Sequence, residues 1–297
     1  MCVKQILEIS SKIWLTSHTL WPMYFVVNGK VVNTKRLIVT ALTAALLAGG
    51  CAKSSTGRNQ LTLFSDSELG KMGAASFEEM KQKEKVSQDK ATNNYVQCVA
   101  KGITKHVPQS AHAGEWEVVV FDSPQVNAFA LPGGKIGVYT GILKVAISAD
   151  QLAAIIGHEV GHVIERHSNE RLSSNQFSQI GLVAASAIMT SQNVENKNLY
   201  MAGLGLGVQY GILLPYGRAH ESEADIVGQD LMAKAGFKPD AAIALWQNMA
   251  KVSKGAPPEF MSTHPSHKTR ISALGAHLPK AKAHYDAKQR PNCVKPK

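Results

Sequence analysis

The pentapeptide at residues 158–162 carries the first residues in this chain whose types and spacing could do chemistry. His158 and His162 are four residues apart, so on a helix they lie on one face, where their ring nitrogens can share a metal ion. Imidazole ligands at this spacing suit zinc, and Glu159 beside them can act as a general base toward an attacking water. The alternative is an amphipathic helix that carries these residues without a metal, and the pentapeptide alone leaves both interpretations open.

A catalytic zinc site has three protein ligands and one open position, so a third ligand must come from elsewhere. Glu221 is the best candidate, and Asp225, four residues later, shares its helical face. One carboxylate can bind metal while the other accepts a hydrogen bond from a ligand histidine. Glu223 points to another side of that helix and is expected at the surface, and His167 and His220 are expected at the surface or at helix ends. A charged, solvated helix start is the alternative interpretation of the three acids.

The helix that carries the pentapeptide is predicted to begin at Ser148, because a serine three residues before Gln151 is a capping signature. Apolar residues at helical spacing give this helix one buried face. Gly161 costs about 1 kcal/mol relative to alanine in a helix interior. We therefore expect another helix or the sheet to pass close to Gly161.

The rest of the chain after residue 64 is predicted to be mostly helical. Apolar residues at helical spacing predict helices at 65–88, 92–107, 218–236, 239–249 and 270–274. Alternating apolar residues predict strands at 116–120, 127–131 and 135–140, and a proline followed by two glycines predicts a hairpin turn between the last two. The predicted fold class is therefore α+β, mostly helical, with a small mixed or antiparallel sheet beside the pentapeptide helix.

Two stretches rich in glycine and alanine, residues 176–189 and 199–214, follow the pentapeptide helix. Neither has the roughly 20 uninterrupted apolar residues that a membrane span needs. We expect a helical hairpin that packs in the core. Contact of this hairpin with lipid or with an unfolded protein is the alternative.

The N-terminal part has the features of a secretory signal. Lys35 and Arg36 precede a short apolar run at 37–48, and two glycines lead to Cys51. The run is too short for a comfortable membrane span. The cysteine makes the segment resemble a bacterial lipoprotein signal, in which cleavage leaves this cysteine as the lipidated first residue. We expect translation to begin near Val32.

These features divide the chain into four parts. Residues 1–50 are predicted to be a leader and signal that are removed, and 51–64 a flexible polar tether. Residues 65–278 form the predicted folded domain, and 279–297 a basic, irregular tail. The residue after Cys51 is Ala52 and not an aspartate. By resemblance to Gram-negative sorting rules, this favours a location at the outer membrane, facing the periplasm.

The charge of the chain argues against a nucleic-acid protein. The formal net charge is +10, and residues 1–51 hold five basic residues and one acidic residue, which is +4 and leaves +6 for the remainder. This surplus is mild and is not clustered with aromatic residues. A solvated basic surface explains it, and loose contact with an anionic membrane surface is the alternative.

Two cysteines remain once Cys2 and Cys51 are set aside. Cys98 and Cys293 can pair in an oxidising compartment, and the bridge would tie an early helix to the C-terminal tail. Two free buried thiols are the alternative.

The order of several motifs resembles a known family. His158-Glu159-Val160-Gly161-His162 followed by Glu221-x-x-Ala224-Asp225 looks like the HtpX and CAAX-prenyl-protease type of zinc metallopeptidase. Further matching pieces are the segment 127–134 and the pair His264-Pro265 with Arg270. With the lipoprotein-type signal, the chain is most similar to soluble periplasmic members, such as the LoiP- and YcaL-like lipoprotein peptidases. The resemblance covers roughly residues 64–278.

This resemblance implies a zincin-like metallopeptidase domain over residues 65–278 with one Zn²⁺ per chain. It implies that the zinc ligands are His158, His162 and Glu221 and that Glu159 is the general base. Asp225 and Arg218 would support the ligands. His264 would line the site, where it stabilises the oxyanion or caps the open zinc position, and a loop histidine without function is the alternative.

The strand at Asn127, Ala128, Phe129 and Ala130 is predicted to be a sheet edge to which an extended substrate peptide adds through main-chain hydrogen bonds. The leading hypothesis is thus a zinc endopeptidase of the bacterial cell envelope that acts on unfolded, misfolded or unassembled proteins. A chaperone or assembly factor with a closed, structural zinc site is the second hypothesis, and a lipid-anchored scaffold without metal is the third.

Overall fold

The structure is a computed structural model, and the residues that it describes are 24–27, 30–33, 51–208, 214–252 and 268–296. Most of the predicted leader and signal, residues 34–50 included, lies outside these residues, and so does His264. The predicted start near Val32 and the lipidation of Cys51 therefore stay predictions.

The described residues form eight α-helices: α1 (Asp66–Lys83), α2 (Lys90–Thr104), α3 (Ala149–Ile164), α4 (His167–Ser191), α5 (Lys197–Val208), α6 (Leu214–Lys234), α7 (Ala241–Val252) and α8 (Lys268–His284). They also form seven strands: β1 (Tyr24–Val27), β2 (Lys30–Asn33), β3 (Cys51–Lys53), β4 (Asn59–Leu61), β5 (Glu117–Phe121), β6 (Ala128–Leu131) and β7 (Lys135–Tyr139). The predicted α+β, mostly helical class is confirmed.

The sheet beside the pentapeptide helix is mixed. Its strand order is β5-β7-β6, with β5 and β7 parallel and β6 and β7 antiparallel. The turn between β6 and β7 uses Gly133 and Gly134, both at positive φ, which only glycine adopts readily. Helix α3 packs against β6, so the sheet forms one wall around α3.

Helix α3 crosses α6 at very short range, as the glycine in the pentapeptide predicts. A Cβ atom at Gly161 would lie 2.8 Å from the carbonyl oxygen of Ala224, and one at Gly228 would lie 2.6 Å from the backbone nitrogen of His158. Only glycines allow this contact. The crossing brings the N-terminal half of α6, with its acidic residues, against the histidine face of α3.

Helix α1 begins where the sequence predicts and ends earlier. Ser65 accepts a hydrogen bond from the Glu68 amide, and the Glu68 carboxylate accepts from the Ser65 amide, which is a complete capping box. The helix ends at Lys83 rather than near residue 88, because Val86 instead forms a β-bridge with Phe121. Tertiary pairing thus overrides the local helical pattern at this end.

The prediction of a flexible tether differs from the structure. Strands β3 and β4 form an antiparallel hairpin, in which Cys51 pairs with Leu61. Ser54 and Gln60 of this hairpin are buried, with relative exposures of 7% and 1%. Their partners are acidic residues of distant helices, so no local signal in this polar segment could indicate its order.

The C-terminal residues are also more ordered than predicted. Helix α8 continues through Pro279 to His284, and a 3₁₀ turn follows at Ala287–Gln289. A disulfide joins Cys98 of α2 to Cys293, and Arg290 forms an ion pair with Asp150 at the start of α3. These bonds hold the basic segment on the domain surface, while residues 290–296 have no regular secondary structure, as predicted.

Helices α4 and α5 are exposed over most of their length rather than packed in the core. The buried residues of α4 lie in its first two turns, and α5 has none. Large apolar side chains such as Val183 and Leu199 are 68% and 72% exposed. Among the described residues, no helix combines the length and apolarity needed to span a bilayer.

Candidate metal centre

The three predicted ligands converge between α3 and α6. The Nε2 atoms of His158 and His162 are 3.1 Å apart. The two carboxylate oxygens of Glu221 lie 3.3 Å from His158 Nε2 and 3.5 Å from His162 Nε2. A tetrahedral zinc with bonds of 2.0–2.1 Å separates its ligands by roughly 3.3–3.4 Å. Two imidazoles and one carboxylate at these separations fit a zinc ion in both chemistry and spacing.

These ligands lie at the edge of the core and not at the surface. His158 and Glu221 are 3% and 4% exposed, and the side chain of His162 is 13% exposed. Glu159 is also buried, on the same helix as the two histidines. An ion placed here would therefore be shielded from bulk water, with its more open side toward His162.

Asp225 stands behind His158, as the four-residue spacing from Glu221 predicts. Its Oδ1 atom lies 2.9 Å from His158 Nδ1, the ring nitrogen that points away from the other ligands. Burial disfavours charge on His158, but hydrogen bonds from its ring to Asp225 and Glu221 raise its pKa to about 9. Metal binding requires the neutral imidazole, so a metal and a proton compete for this ring.

The predicted substrate strand lies at an edge of the sheet. Tyr139 donates its amide to the carbonyl of Asn127, so the odd-numbered residues of β6 face β7. The carbonyl of Ala128 and both main-chain groups of Ala130 therefore point to the outer edge. Phe129, between them, packs on the aromatic rings of Phe121 and Tyr139.

Residues 90–277 match the sequence profile of peptidase family M48. This chain belongs to peptidase family M48. The matched range contains the three candidate ligands and the whole of the β5-β7-β6 sheet.

Curated relatives carry related names. The chain is 39% identical over 170 residues to the mitochondrial metalloendopeptidase OMA1 of Schizosaccharomyces pombe, covering 56% of this chain and 48% of the relative. It is 26% identical over 253 residues to the metalloprotease YcaL of Escherichia coli, covering 82% and 96%. It is 28% identical over 181 residues to the beta-barrel assembly-enhancing protease of Yersinia pestis, covering 59% and 34%. The chain spans about half the length, or less, of the mitochondrial relatives that it matches. A specific relation to HtpX or to CAAX-prenyl proteases stays a prediction.

The arginine that contacts the candidate site is Arg270, whereas the predicted supporting residue, Arg218, does not lie among these contacts. Arg218 is exposed on α6. Arg270 of α8 is 2% exposed, and it donates two hydrogen bonds to Asp225, at 2.6 and 2.7 Å, and one to Glu221, at 2.8 Å. Its guanidinium also lies 3.9 Å from the ring centroid of Trp246.

A sequence signal for Arg270 was present. Arg270 and Leu274 are four residues apart, so the arginine lies on the apolar face of its helix. A charged residue at such a position is buried only when it has a partner. Burial opposes ionisation of Asp225, but the positive charge and hydrogen bonds of Arg270 lower the pKa of that carboxyl below its usual value.

The expectation that Glu223 lies at the surface is wrong, and His167 and His220 are buried too, although His167 is at a helix end, as the first residue of α4. Their relative exposures are 5%, 4% and 4%. The β3–β4 hairpin covers them, and the side chain of Arg58 from this hairpin enters between Glu223 and Glu170. Desolvation lowers the pKa of His167 to about 4, so this ring is neutral at pH 7. The covering segment is distant in sequence, which is why spacing on α6 alone does not reveal the burial.

Proposed function

We propose that this chain is a zinc-dependent endopeptidase of the bacterial cell envelope that hydrolyses peptide bonds in unfolded, misfolded or unassembled proteins. The observation that carries the proposal is the convergence of His158, His162 and Glu221 beside Glu159. Three protein ligands with a fourth position left for water or substrate are the pattern of catalytic zinc sites, whereas structural sites use four protein ligands.

The chain's own residues provide the proton transfers. Zinc, when bound, polarises the scissile carbonyl and makes water more acidic. Glu159 is placed by α3 next to the ligands, where it takes the proton of the attacking water and delivers it to the leaving amine. Asp225 and Arg270 hold His158 and Glu221 in place while this occurs.

The outer edge of β6 supports a main-chain mode of substrate binding. Ala128 and Ala130 direct main-chain groups away from β7, and an extended peptide can pair with them as an added strand. This mode reads backbone rather than side chains. It therefore favours broad sequence preference and requires substrate segments that are unfolded.

The envelope location rests on the N-terminal sequence and on relatives. The segment before Cys51 resembles a lipoprotein signal, and the Yersinia pestis relative is named for the assembly of β-barrels, which are outer-membrane structures in bacteria. Strand β3 begins at Cys51, so a lipid on this cysteine would place the domain directly at the membrane surface. For His264 the proposal keeps the two roles predicted from the sequence, which are to stabilise the oxyanion or to cap the open zinc position.

The test is degradation of β-casein, an unfolded protein, by the full chain and by its Glu159→Gln variant, with zinc content measured on both. We expect the wild type to cleave and the variant to retain zinc while its rate falls by about 10²–10⁴-fold, the usual contribution of a general base. If both proteins hold zinc and neither cleaves, the chaperone hypothesis gains and His264→Ala is the next variant. A zinc-free wild type would overturn the proposal.

A further inference from the structure

The β3–β4 hairpin binds two buried carboxylates through one arginine. The Nη1 and Nη2 atoms of Arg58 donate to the two carboxylate oxygens of Glu170 at 2.6 and 2.7 Å. Its Nε and Nη2 atoms donate to Glu223 Oε2 at 3.0 and 2.7 Å. The side chains of Glu170 and Glu223 are 1% and 6% exposed. Such carboxylates are stable in the interior only while a cation and hydrogen bonds compensate their charge.

Glu223 continues this contact toward the metal centre. Its Oε2 atom lies 3.1 Å from Nε2 of His167, and Nδ1 of His167 lies 2.8 Å from Nδ1 of His162. His162 is the ligand whose Nε2 atom faces His158 and Glu221. A continuous path of hydrogen bonds thus runs from Arg58 to a metal ligand.

Metal binding fixes every proton along this path. A His162 that binds through Nε2 carries its proton on Nδ1 and must donate it. His167 Nδ1 must then accept, so the single proton of neutral His167 lies on Nε2 and is donated to the Glu223 carboxylate. Each residue has one compatible state, and the carboxylate at the end of the path is the strongest acceptor available.

The other histidine ligand has a shorter version of the same support. His158 Nδ1 contacts the Asp225 carboxylate directly at 2.9 Å, and Arg270 holds that carboxylate. The Nδ1 atom of His162 contacts a second histidine, His167, and that histidine in turn contacts the Glu223 carboxylate. Both ligand rings are therefore backed by an arginine-held carboxylate, one directly and one through a second histidine.

We infer that the β3–β4 hairpin is part of the metal centre, and that Arg58, Glu223 and His167 are positioning residues that orient His162 for metal binding. The inference rests on the proposed zinc site. It gives the segment directly after Cys51 a role in the metal centre, which a flexible tether would not have. Carboxylates and other groups behind metal-binding histidines typically change metal affinity or activity by 10–100-fold when removed.

The test measures the zinc dissociation constant of the full chain by competition with a chromophoric chelator. His167→Leu removes the acceptor for the Nδ1 proton of His162. Asparagine has nearly the same shape as leucine, but His167→Asn places an amide oxygen close to the position of the histidine Nδ1 atom. We expect His167→Leu to weaken zinc binding about 10–100-fold and His167→Asn to stay within about fivefold of the wild type. Glu223→Gln keeps a polar side chain of the same size but removes its negative charge, and it should weaken zinc binding about tenfold.

Glu165→Gln is the matched control. Glu165 is 2% exposed and binds the hairpin through the amide of Ser55, but it is not on the path to His162. We expect its zinc affinity to equal that of the wild type within about twofold, a change too small for the loss of a ligand-orienting partner. Equal losses in Glu165→Gln and His167→Leu would mean that hairpin docking alone matters, and would overturn the inference.

A measurement on the wild type avoids any folding defect of the variants. Nitrogen-15 NMR of the histidine rings in the zinc-loaded full chain should show the proton of His162 on Nδ1 and that of His167 on Nε2. A proton on Nδ1 of His167, or a His167→Leu variant that binds zinc as tightly as the wild type, refutes the orienting role and leaves the proposed function intact. A wild type that binds no zinc refutes both.

Discussion

Replacing Arg270 of α8 by glutamine should destabilise the metal-free domain more than replacing the exposed Arg218 of α6. The substitution removes three hydrogen bonds of 2.6–2.8 Å and leaves the carboxylates of Glu221 and Asp225, which are 5% and 4% exposed, without their guanidinium. Breaking a buried ion pair from one side costs about 3–5 kcal/mol. In a domain of 150–250 residues each kcal/mol lowers the unfolding temperature by about 2–4 °C, so we expect a decrease of roughly 6–20 °C.

The assay is thermal unfolding of the full chain, followed by circular dichroism, first in EDTA and then in excess zinc. Zinc should restore part of the loss in Arg270→Gln, because the ion supplies Glu221 with a new cationic partner. The unfolding temperature of Arg270→Lys should lie between those of the wild type and Arg270→Gln, since an ammonium keeps the positive charge but cannot form the two-pronged pair with Asp225.

Arg218→Gln is the matched control for Arg270→Gln. Arg218 is exposed, so its replacement should change the free energy of unfolding by no more than about 0.5 kcal/mol. A folded Arg270→Gln variant that melts within about 2 °C of the wild type in EDTA would contradict the claim that this arginine compensates the buried acids.

Three further predictions concern pH, the disulfide and the helix crossing. In EDTA the domain should be most stable near pH 6.5. Burial lowers the pKa of His167 to about 4, so the free energy of unfolding falls as the pH decreases below 6.5. Carboxylate partners outweigh burial at His158 and raise its pKa to about 9, so the stabilisation from protonated His158 is lost as the pH rises toward 9. Thermal melts between pH 4 and 9 check this. Serine at both bridged cysteines should lower the free energy of unfolding by about 2–5 kcal/mol in urea titrations. Gly228→Ala should cost about 1–3 kcal/mol and weaken zinc binding, because its Cβ would lie 2.6 Å from the His158 nitrogen, whereas Gly275→Ala, with no atom within 4 Å, should not destabilise.

The parts of the fold that sequence predicts are those with local causes. Capping residues such as Ser65 and Ser148 mark helix starts because their hydroxyls bond to amides three residues away. The short α3–α6 crossing follows from Gly161, since glycine in a helix interior has a cost that a close contact can explain. The convergence of Glu221 with the histidines was expected from ligand chemistry and the family resemblance together.

The parts of the site region that sequence did not predict depend on contacts over more than a hundred residues. Ser54 and Arg58 lie in a polar segment that has the composition of a linker, yet they bond to Glu223, 169 and 165 residues later. The same contacts bury Glu223 and His167, which spacing on their own helices places at the surface. The composition of a segment indicates whether it can be flexible in water, but it does not indicate whether a buried acid from a distant part of the chain will accept its hydrogen bonds.

Charge balance offers a physical reason why these acids lie inside the domain. At the candidate metal centre the buried carboxylates of Glu221 and Asp225 share one described guanidinium, that of Arg270, and Glu159 is buried nearby on α3. With neutral histidines and an ionised Glu159 these four groups sum to −2. A divalent zinc ion balances that sum, and without it the charges raise the pKa of His158 until the ring takes up a proton instead. The acids therefore make the site favour a cation, while Arg270 compensates part of their charge in the folded domain. A protein with this distribution of charge gains stability from the same ion that its proposed chemistry requires.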